Sequence, residues 1–397
     1  MRFSSHTIAL ISVVSLFFLF GFVTALNDVL IPHLKGIFQL SVMQSMLVQF
    51  CFFGAYFLMS IPAGWVLVRI GNQNGIVFAL TIVGIGLLLF IPASKIVSYE
   101  MFLLALFIVA SGITMLQVAA NPYLSLLGPI ETATARINLA GGLNSLATTL
   151  APWVGAQLIL IESNASPEVK AAATHVPYIG LSVFVLCLAI LFGRIRLPIV
   201  VVSATELSSF FVLLKFPKLL QGALAIFAYV GAEVAIGSLL IGYLALPENG
   251  ALSSQEAAIY VSYYWGTMMI GRWIGFLFLS KISSKTMLVG AVLGAFCAIS
   301  VALMFQGTIS VWALVTLGLF HAVMWPCIFP ISIQGLENYT NQGAALLIMM
   351  VVGGALIPLL QGWIIDHYGY RYSFLIEMCC YAWIGWFALS PQKNVLK

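Results

Sequence analysis

Long apolar runs recur along the whole chain, and short polar stretches separate them. A helix needs about 20 apolar residues to cross a bilayer, so each long run is a candidate span. The pattern predicts twelve spans, near residues 9–36, 43–68, 75–93, 100–127, 134–161, 175–193, 217–246, 256–280, 286–306, 309–333, 338–365 and 372–389. The runs are continuous rather than alternating, which favours helices over the strands of a membrane β-barrel.

The composition supports an all-α integral membrane protein. Of the 397 residues, 62% are hydrophobic and 7% are charged, whereas an ordinary soluble domain has roughly 25% charged residues. So few charges cannot coat a soluble surface, and we expect the lipid bilayer to cover most of the protein. The net charge of +4 comes without a basic cluster, which argues against nucleic acid as a partner.

Motifs of catalysis and nucleotide binding are missing from the sequence. It contains no nucleophile elbow, no HExxH zinc motif and no P-loop. We therefore expect no enzyme activity, no metal site and no bound cofactor. Without a nucleotide site, uphill transport must use an ion gradient, of protons or alternatively of Na⁺.

The segment 194–216 divides the chain into two halves. Four of its residues are charged: Arg194, Arg196, Glu206 and Lys215. We predict a cytoplasmic linker at this segment, with one six-helix bundle at 1–193 and a second at 217–397. Of the 16 lysines and arginines, eleven fall on the side assigned to the cytoplasm and four on the other, with Arg272 inside a span. Because positive charge concentrates in cytoplasmic loops, both termini should be cytoplasmic.

The first span contains Asn27 and Asp28 in an otherwise apolar stretch. An unpaired acidic side chain at bilayer depth costs roughly 2.5–3.5 kcal/mol on insertion scales. Asp28 should therefore face a water-filled path or a polar partner inside the bundle. It lies near the outer end of the helix if the helix stops at Ile31, and deeper if the helix continues past Pro32 to Phe38.

The fourth and fifth spans contribute a second polar group. Gln117 and Asn121 are four residues apart and share a helix face, next to Pro122, which can bend the helix. Asn144 in the fifth span adds another amide. These amides both donate and accept hydrogen bonds, which suits a hydroxylated solute. They could equally bond neighbouring helices, and residue type alone leaves both interpretations open.

The seventh span repeats the theme with Glu233, which lies among small residues. A carboxylate removed from water favours its neutral form, and an intramembrane acid can thereby exchange protons. The alternative is a structural ion pair, for instance with Arg272.

The tenth span carries His321 and Trp325 on one helix face. Histidine can bond a sugar hydroxyl or relay a proton, and an aromatic ring suits the C–H surface of a pyranose. The alternative is that both side chains are simply packed in the core.

Six stretches of the chain form an ordered set of motifs. They are LNDVLIPHLK at 26–35, LQVAANPY at 116–123, YVGAEVAIGS at 229–238, YYWGTMMIGR at 263–272, MWPCIF at 324–329 and GGALIPLLQ at 353–361. Together they resemble the fucose–proton symporter family of the major facilitator superfamily, and especially its glucose/galactose branch. The resemblance implies twelve transmembrane helices in two pseudo-symmetric six-helix bundles, and a monomeric inner-membrane carrier that imports hexose with protons.

The resemblance also implies roles for individual residues. The proton-linked acid of the family's first helix falls on Asp28, and we take Glu233 as a second ionisable group. The expected sugar-binding residues are Asn27, Asp28, Gln117, Asn121, Asn144, Tyr229, His321 and Trp325. The fucose branch has glutamate at the position of Gln117, which argues against fucose as the substrate. The family pattern also has glutamine at Gly141 and asparagine at His321.

Other functions remain open on the sequence alone. The same fold could carry fucose or N-acetylglucosamine, or export amphipathic compounds at the expense of a proton gradient. The amide-rich set at Gln117, Asn121 and Asn144 argues against an exporter, whose pocket would be mainly aromatic. A membrane sensor would need a sizeable soluble domain, which the hydropathy pattern does not predict.

Overall fold

The chain folds into long helices that follow the predicted spans in order. The structure is a computed structural model that describes residues 5–126, 133–160, 165–195, 210–279, 282–336 and 339–390. Twelve long helices within these residues are numbered in chain order: α1 Ser5–Phe38, α2 Val42–Leu67, α3 Arg69–Ile96, α4 Tyr99–Leu126, α5 Ala133–Ile159, α6 His175–Arg194, α7 Pro217–Leu244, α8 Ser254–Leu279, α9 Ser284–Met304, α10 Thr308–Ile333, α11 Gly343–Tyr368 and α12 Tyr370–Leu389. The chain kinks at Gly71, whose φ of 80° suits glycine.

Ten helices in the described part of the chain are long and apolar enough to cross a membrane. Their outward faces expose large apolar side chains, including Trp65, Phe78, Trp312 and Trp386. Exposed apolar surface on this scale needs lipid to cover it, as the composition predicts. α1 runs through Pro32 to Phe38, so Asp28 lies about 15 Å before its end.

Burial separates inner helices from outer ones. The most apolar stretch of α1 is 78% buried and that of α7 is 83% buried, while those of α4 and α10 are each 61% buried. The other six spans compared in this way lie between 28% and 50%. Among these ten spans, the four most enclosed carry Asp28, Gln117, Glu233 and His321, whereas Asn144 lies on α5, which is not one of the ten.

The chain forms two compact units. The first is Met1–Gln39 with Gly54–Ala204, and the second is Leu40–Phe53 with Thr205–Lys397. The main change of unit falls within the segment 194–216, of which residues 196–209 lie outside the described residues.

The start of α2 is attached to the second unit by a carboxylate. Both oxygens of Asp366, at the end of α11, accept hydrogen bonds from the backbone N–H groups of Val42 and Met43, at 2.7 and 2.8 Å. Ser41 and Gln44 complete the cap by bonding each other's backbone N–H groups. Free N–H groups at a helix start favour a negative partner, so Asp366 stabilises this end of α2.

We expect Asp366→Ala to loosen the start of α2. The change leaves two backbone N–H groups without their acceptor, and losing such a cap costs about 0.5–2 kcal/mol. The Tm of the purified protein in detergent should fall by a few degrees, and less in Asp366→Asn, which keeps one acceptor oxygen. His367→Ala is the control because the exposed His367 ring bonds its own helix at the Trp363 carbonyl oxygen. Equal Tm values for Asp366→Ala and His367→Ala would contradict this role.

Candidate functional site

In the first unit, Asn27 and Asp28 are both buried on α1, each with 2% of its surface exposed. The Nδ2 atom of Asn27 has no hydrogen-bond partner among the described residues. Asp28 does make a polar or electrostatic interaction. The burial of Asp28 agrees with the prediction that this acid lies inside the protein, away from lipid.

Gln117 on α4 belongs to a polar chain that crosses to α1 and α2. Its Nε2 atom donates to the Tyr56 hydroxyl oxygen at 2.9 Å. The same hydroxyl lies within hydrogen-bonding reach of Thr24, whose own hydroxyl donates to the Phe20 carbonyl oxygen at 2.7 Å. Gln117 is half-buried, so Tyr56 holds one end of its amide while the remaining polar capacity stays accessible.

Asn144 on α5 bonds a neighbouring helix. Its Nδ2 atom donates to the Phe17 carbonyl oxygen of α1 at 3.0 Å. At Gly21, a Cβ atom would lie 2.7 Å from the Asn144 carbonyl oxygen, so glycine permits this close approach. The geometry of Asn144 thus matches the interhelical alternative as well as the binding one. Asn121 falls outside the residues whose side chains are described.

In the second unit, the Glu233 side chain of α7 lies beside a tyrosine and an arginine. Tyr229, one turn earlier, and Arg272 of α8 both lie close enough to interact with the Glu233 carboxyl group. The Arg272 guanidinium also reaches the Met268 sulfur at 3.7 Å. The Arg272 guanidinium can balance the charge of the ionised carboxylate, and the Tyr229 hydroxyl can hydrogen-bond the carboxyl group in either protonation state.

His321 on α10 is fully buried and is held between two tyrosines. Its Nδ1 atom lies 2.8 Å from the Tyr264 hydroxyl and its Nε2 atom 2.8 Å from the Tyr381 hydroxyl. Tyr264 also donates to the Glu233 carbonyl oxygen at 3.0 Å. Since the Tyr264 hydrogen goes to that carbonyl, a neutral His321 with its proton on Nδ1 satisfies every group in the chain.

An aromatic cluster lies next to this chain. The Tyr229 ring is 6.1 Å from His321 and 6.5 Å from Trp325, measured between ring centroids. Trp325 also stacks on Phe329 at 5.7 Å. The structure thus brings Tyr229, Glu233, His321 and Trp325 together, as their assignment to one site requires.

Sequence reasoning missed three tyrosines. Tyr56, Tyr264 and Tyr381 orient the predicted residues, and all three are buried. A signal was available, because a buried tyrosine hydroxyl normally finds a polar partner. Its partner, however, comes from another helix and cannot be identified from spacing along the chain.

Comparison with known proteins gives a consistent family. A model of the Major Facilitator Superfamily matches residues 13–349. The chain is 43% identical to a glucose/galactose transporter of Brucella abortus, covering 98% of this chain and 95% of that protein. It is 31% identical to the L-fucose-proton symporter of Escherichia coli, covering 97% and 93% of the two chains.

The fold comparison agrees with the sequence comparison. The crystal structure of the E. coli fucose:proton symporter in the outward conformation superposes with a TM-score of 0.74 and 30% identity. The match covers 97% of this chain and 99% of that one. The predicted family and the predicted all-helical membrane fold are thereby confirmed.

Proposed function

The chain belongs to the Major Facilitator Superfamily, and we propose that it imports a hexose of the glucose or galactose type by proton symport. Relatives named for glucose/galactose transport and for L-fucose-proton symport span nearly its full length and support this substrate class. We place it in a bacterial-type inner membrane as a monomer, with both termini in the cytoplasm.

One observation carries the proposal. Among the ten spans whose burial can be compared, the four most enclosed each carry a polar or ionisable side chain in a largely apolar helix: Asp28 on α1, Gln117 on α4, Glu233 on α7 and His321 on α10. Polar groups at membrane depth are costly, and in transporters they mark the substrate and ion pathways. An unrelated packing role would not require the polar groups to gather on the inner helices of both units.

In the proposed mechanism, Asp28 is the proton-binding group. Protonation removes the cost of keeping its charge away from water, so the loaded carrier can change conformation more easily than the charged one. Coupling requires that the proton and the sugar favour the same conformations, and this linkage is reciprocal. Glu233, with Tyr229 and Arg272 beside it, is the second candidate for the ionisable role.

We assign sugar contacts separately in each unit. In the first, the Gln117 amide is oriented by Tyr56 and offers hydrogen bonds to sugar hydroxyl groups. In the second, Trp325 and Tyr229 offer aromatic surface for the C–H face of a sugar ring. His321 acts as the group that fixes Tyr264 and Tyr381, since both of its nitrogens are already engaged.

The deciding experiment is uptake of labelled sugars into proteoliposomes. Glucose, galactose, N-acetylglucosamine and fucose are compared with and without an inward proton gradient, with a sodium gradient as a further condition. Accumulation of glucose or galactose only under the proton gradient is the expected result. Accumulation driven by sodium alone, or no uptake by folded protein, would overturn the proposal while leaving the family assignment intact.

We expect Gln117→Leu to weaken sugar binding without unfolding the protein. Leucine has a similar size, but it offers no hydrogen bond, and a lost hydrogen bond in a binding site costs about 1.4 kcal/mol or tenfold in affinity. The KM for sugar should rise about tenfold, and the Tm should change little because the side chain is half-buried. An unchanged KM would exclude Gln117 from the sugar site.

The position of Tyr56 allows a matched test of the same contact. Tyr56→Phe keeps Gln117 but removes the hydroxyl that orients it. An increase in KM smaller than that of Gln117→Leu would support an orienting role for Tyr56.

A further inference from the structure

Glu377 is a buried acid that the proposed mechanism does not use. It lies in the first turn of the helical segment Leu375–Leu389 of α12, and none of its surface is exposed. Neither of its carboxyl oxygens has a hydrogen-bond partner among the described residues. An ionised carboxylate in such a place would be a buried charge without a donor to compensate it, which is a costly arrangement.

Its neighbour Gln361 on α11 is also fully buried and lacks a donor. The Ser373 hydroxyl donates its single hydrogen to the Tyr370 carbonyl oxygen at 2.7 Å, so it must accept from the Gln361 amide nitrogen at 3.1 Å. This contact fixes the orientation of the amide group. The Gln361 Oε1 atom is left without a partner among the described residues, and the side chain lies within reach of Glu377.

We propose that Glu377 is a proton-binding site and holds its proton in this conformation, donating it to Oε1 of Gln361. One hydrogen atom then removes the buried charge and supplies the donor that Gln361 lacks. The step is an acid–base equilibrium: the carboxylate takes a proton from a hydronium ion and leaves water, and release reverses this. The inference goes beyond the proposed sugar transport and does not depend on it.

The charged surroundings of Glu377 do not provide an alternative partner. The titratable residues on the elements packed against it, and on its own helix, are Lys218, Tyr229, Glu233 and Tyr243 of α7, Lys285 and Cys297 of α9, His321 and Cys327 of α10, Asp366, His367 and Tyr368 of α11, and Tyr370, Arg371, Tyr372, Cys379, Cys380 and Tyr381 of α12. Cys380 and Tyr381 are close enough to sense its charge. Arg371 is exposed and donates its Nε–H to the Leu303 carbonyl oxygen at 2.7 Å. Lys218 bonds the Phe387 carbonyl oxygen, near the opposite end of the helix.

Tyr381 connects this site to the chain around His321. It lies one turn after Glu377 on the same helix and senses the charges of both Glu377 and Glu233. Its hydroxyl is also the partner of the His321 Nε2 atom. Loss of the Glu377 proton would therefore change the strength of the hydrogen-bond chain that runs from Tyr381 through His321 and Tyr264 to the Glu233 carbonyl oxygen. By linkage, conformations in which this chain is stronger would bind the Glu377 proton more tightly.

Infrared spectroscopy of the full chain in liposomes tests the protonation directly. At neutral pH, the wild-type spectrum should contain the carbonyl stretch of a neutral carboxylic acid that Glu377→Gln lacks. Glu256→Gln is the matched control because Glu256 is exposed and bonded to Ser253, and it should keep the band. Identical spectra of wild type and Glu377→Gln in this region would overturn the proposal.

A second measurement separates a proton site from a purely structural residue. If the carboxyl group is neutral in the folded protein and ionised in the unfolded chain, the unfolded chain binds fewer protons, and the free energy of unfolding falls as the pH rises. Relative to Glu377→Gln, the unfolding constant of the wild type should rise by up to about tenfold per pH unit above the normal carboxyl range. A ratio of the two unfolding constants that does not change with pH would contradict the proposal, even if both proteins fold well.

Discussion

Replacing Asp28 with asparagine is expected to abolish proton-driven accumulation of sugar while the protein remains folded. Asparagine has nearly the same size and keeps hydrogen-bonding capacity in a position that is 2% exposed, but it cannot bind a proton. A gradient of one pH unit stores about 1.4 kcal/mol per proton, which supports roughly tenfold accumulation by a one-proton symporter. Wild-type proteoliposomes should approach that ratio, whereas Asp28→Asn should only equilibrate sugar across the membrane.

The measurement is the steady-state ratio of labelled sugar inside and outside liposomes under an imposed pH gradient. Glu256→Gln is the matched control, because it makes the same chemical change at an exposed carboxylate and should behave as wild type. Glu233→Gln tests the second candidate acid in parallel. If Asp28→Asn still accumulates sugar and Glu233→Gln does not, the coupling role belongs to Glu233 instead.

The fold was predictable because lipid imposes a simple rule on every span. Each crossing needs a long apolar run with its backbone bonded internally, so hydropathy located the helices. The cytoplasmic linker at 194–216 stays a prediction. Hydropathy carries no information on which helices pack together. It could not show that Leu40–Phe53 groups with the second unit, because that depends on the Asp366 carboxylate meeting the start of α2.

The candidate site was partly predictable for a related reason. Asp28 and Glu233 stand out in apolar spans because isolated acids are rare there. Glu377 escaped notice because an acid in the first turn of a helix is common and favourable when it is exposed. Its burial and its missing donors are properties of the packed structure, and so are the two tyrosines that hold His321.

The second large effect is expected at Gly318, where α10 packs closely against α8. A Cβ atom there would collide with the Tyr264 carbonyl oxygen and the Thr267 hydroxyl of α8, and would lie 3.0 Å from the Met268 nitrogen. The Thr267 hydroxyl lies 2.8 Å from the Val315 carbonyl oxygen of α10 and 2.8 Å from the Tyr264 carbonyl oxygen of its own helix, so it can donate across to α10. Because two of these atoms belong to the backbone, α8 and α10 must separate to accept a methyl group.

Gly318→Ala should therefore lower the Tm in detergent by several degrees and abolish sugar uptake. Overpacking of this kind costs about 1–3 kcal/mol, and separating α8 from α10 also stretches the hydrogen bond between Tyr264 and His321. Gly290→Ala on α9 is the control, since its Cβ atom would meet open space and alanine favours a helix by about 1 kcal/mol over glycine. Gly290→Ala should keep or raise the Tm and transport normally. If Gly318→Ala had the same Tm and the same sugar uptake as Gly290→Ala, the close approach of α8 and α10 would not be what holds Tyr264 against His321.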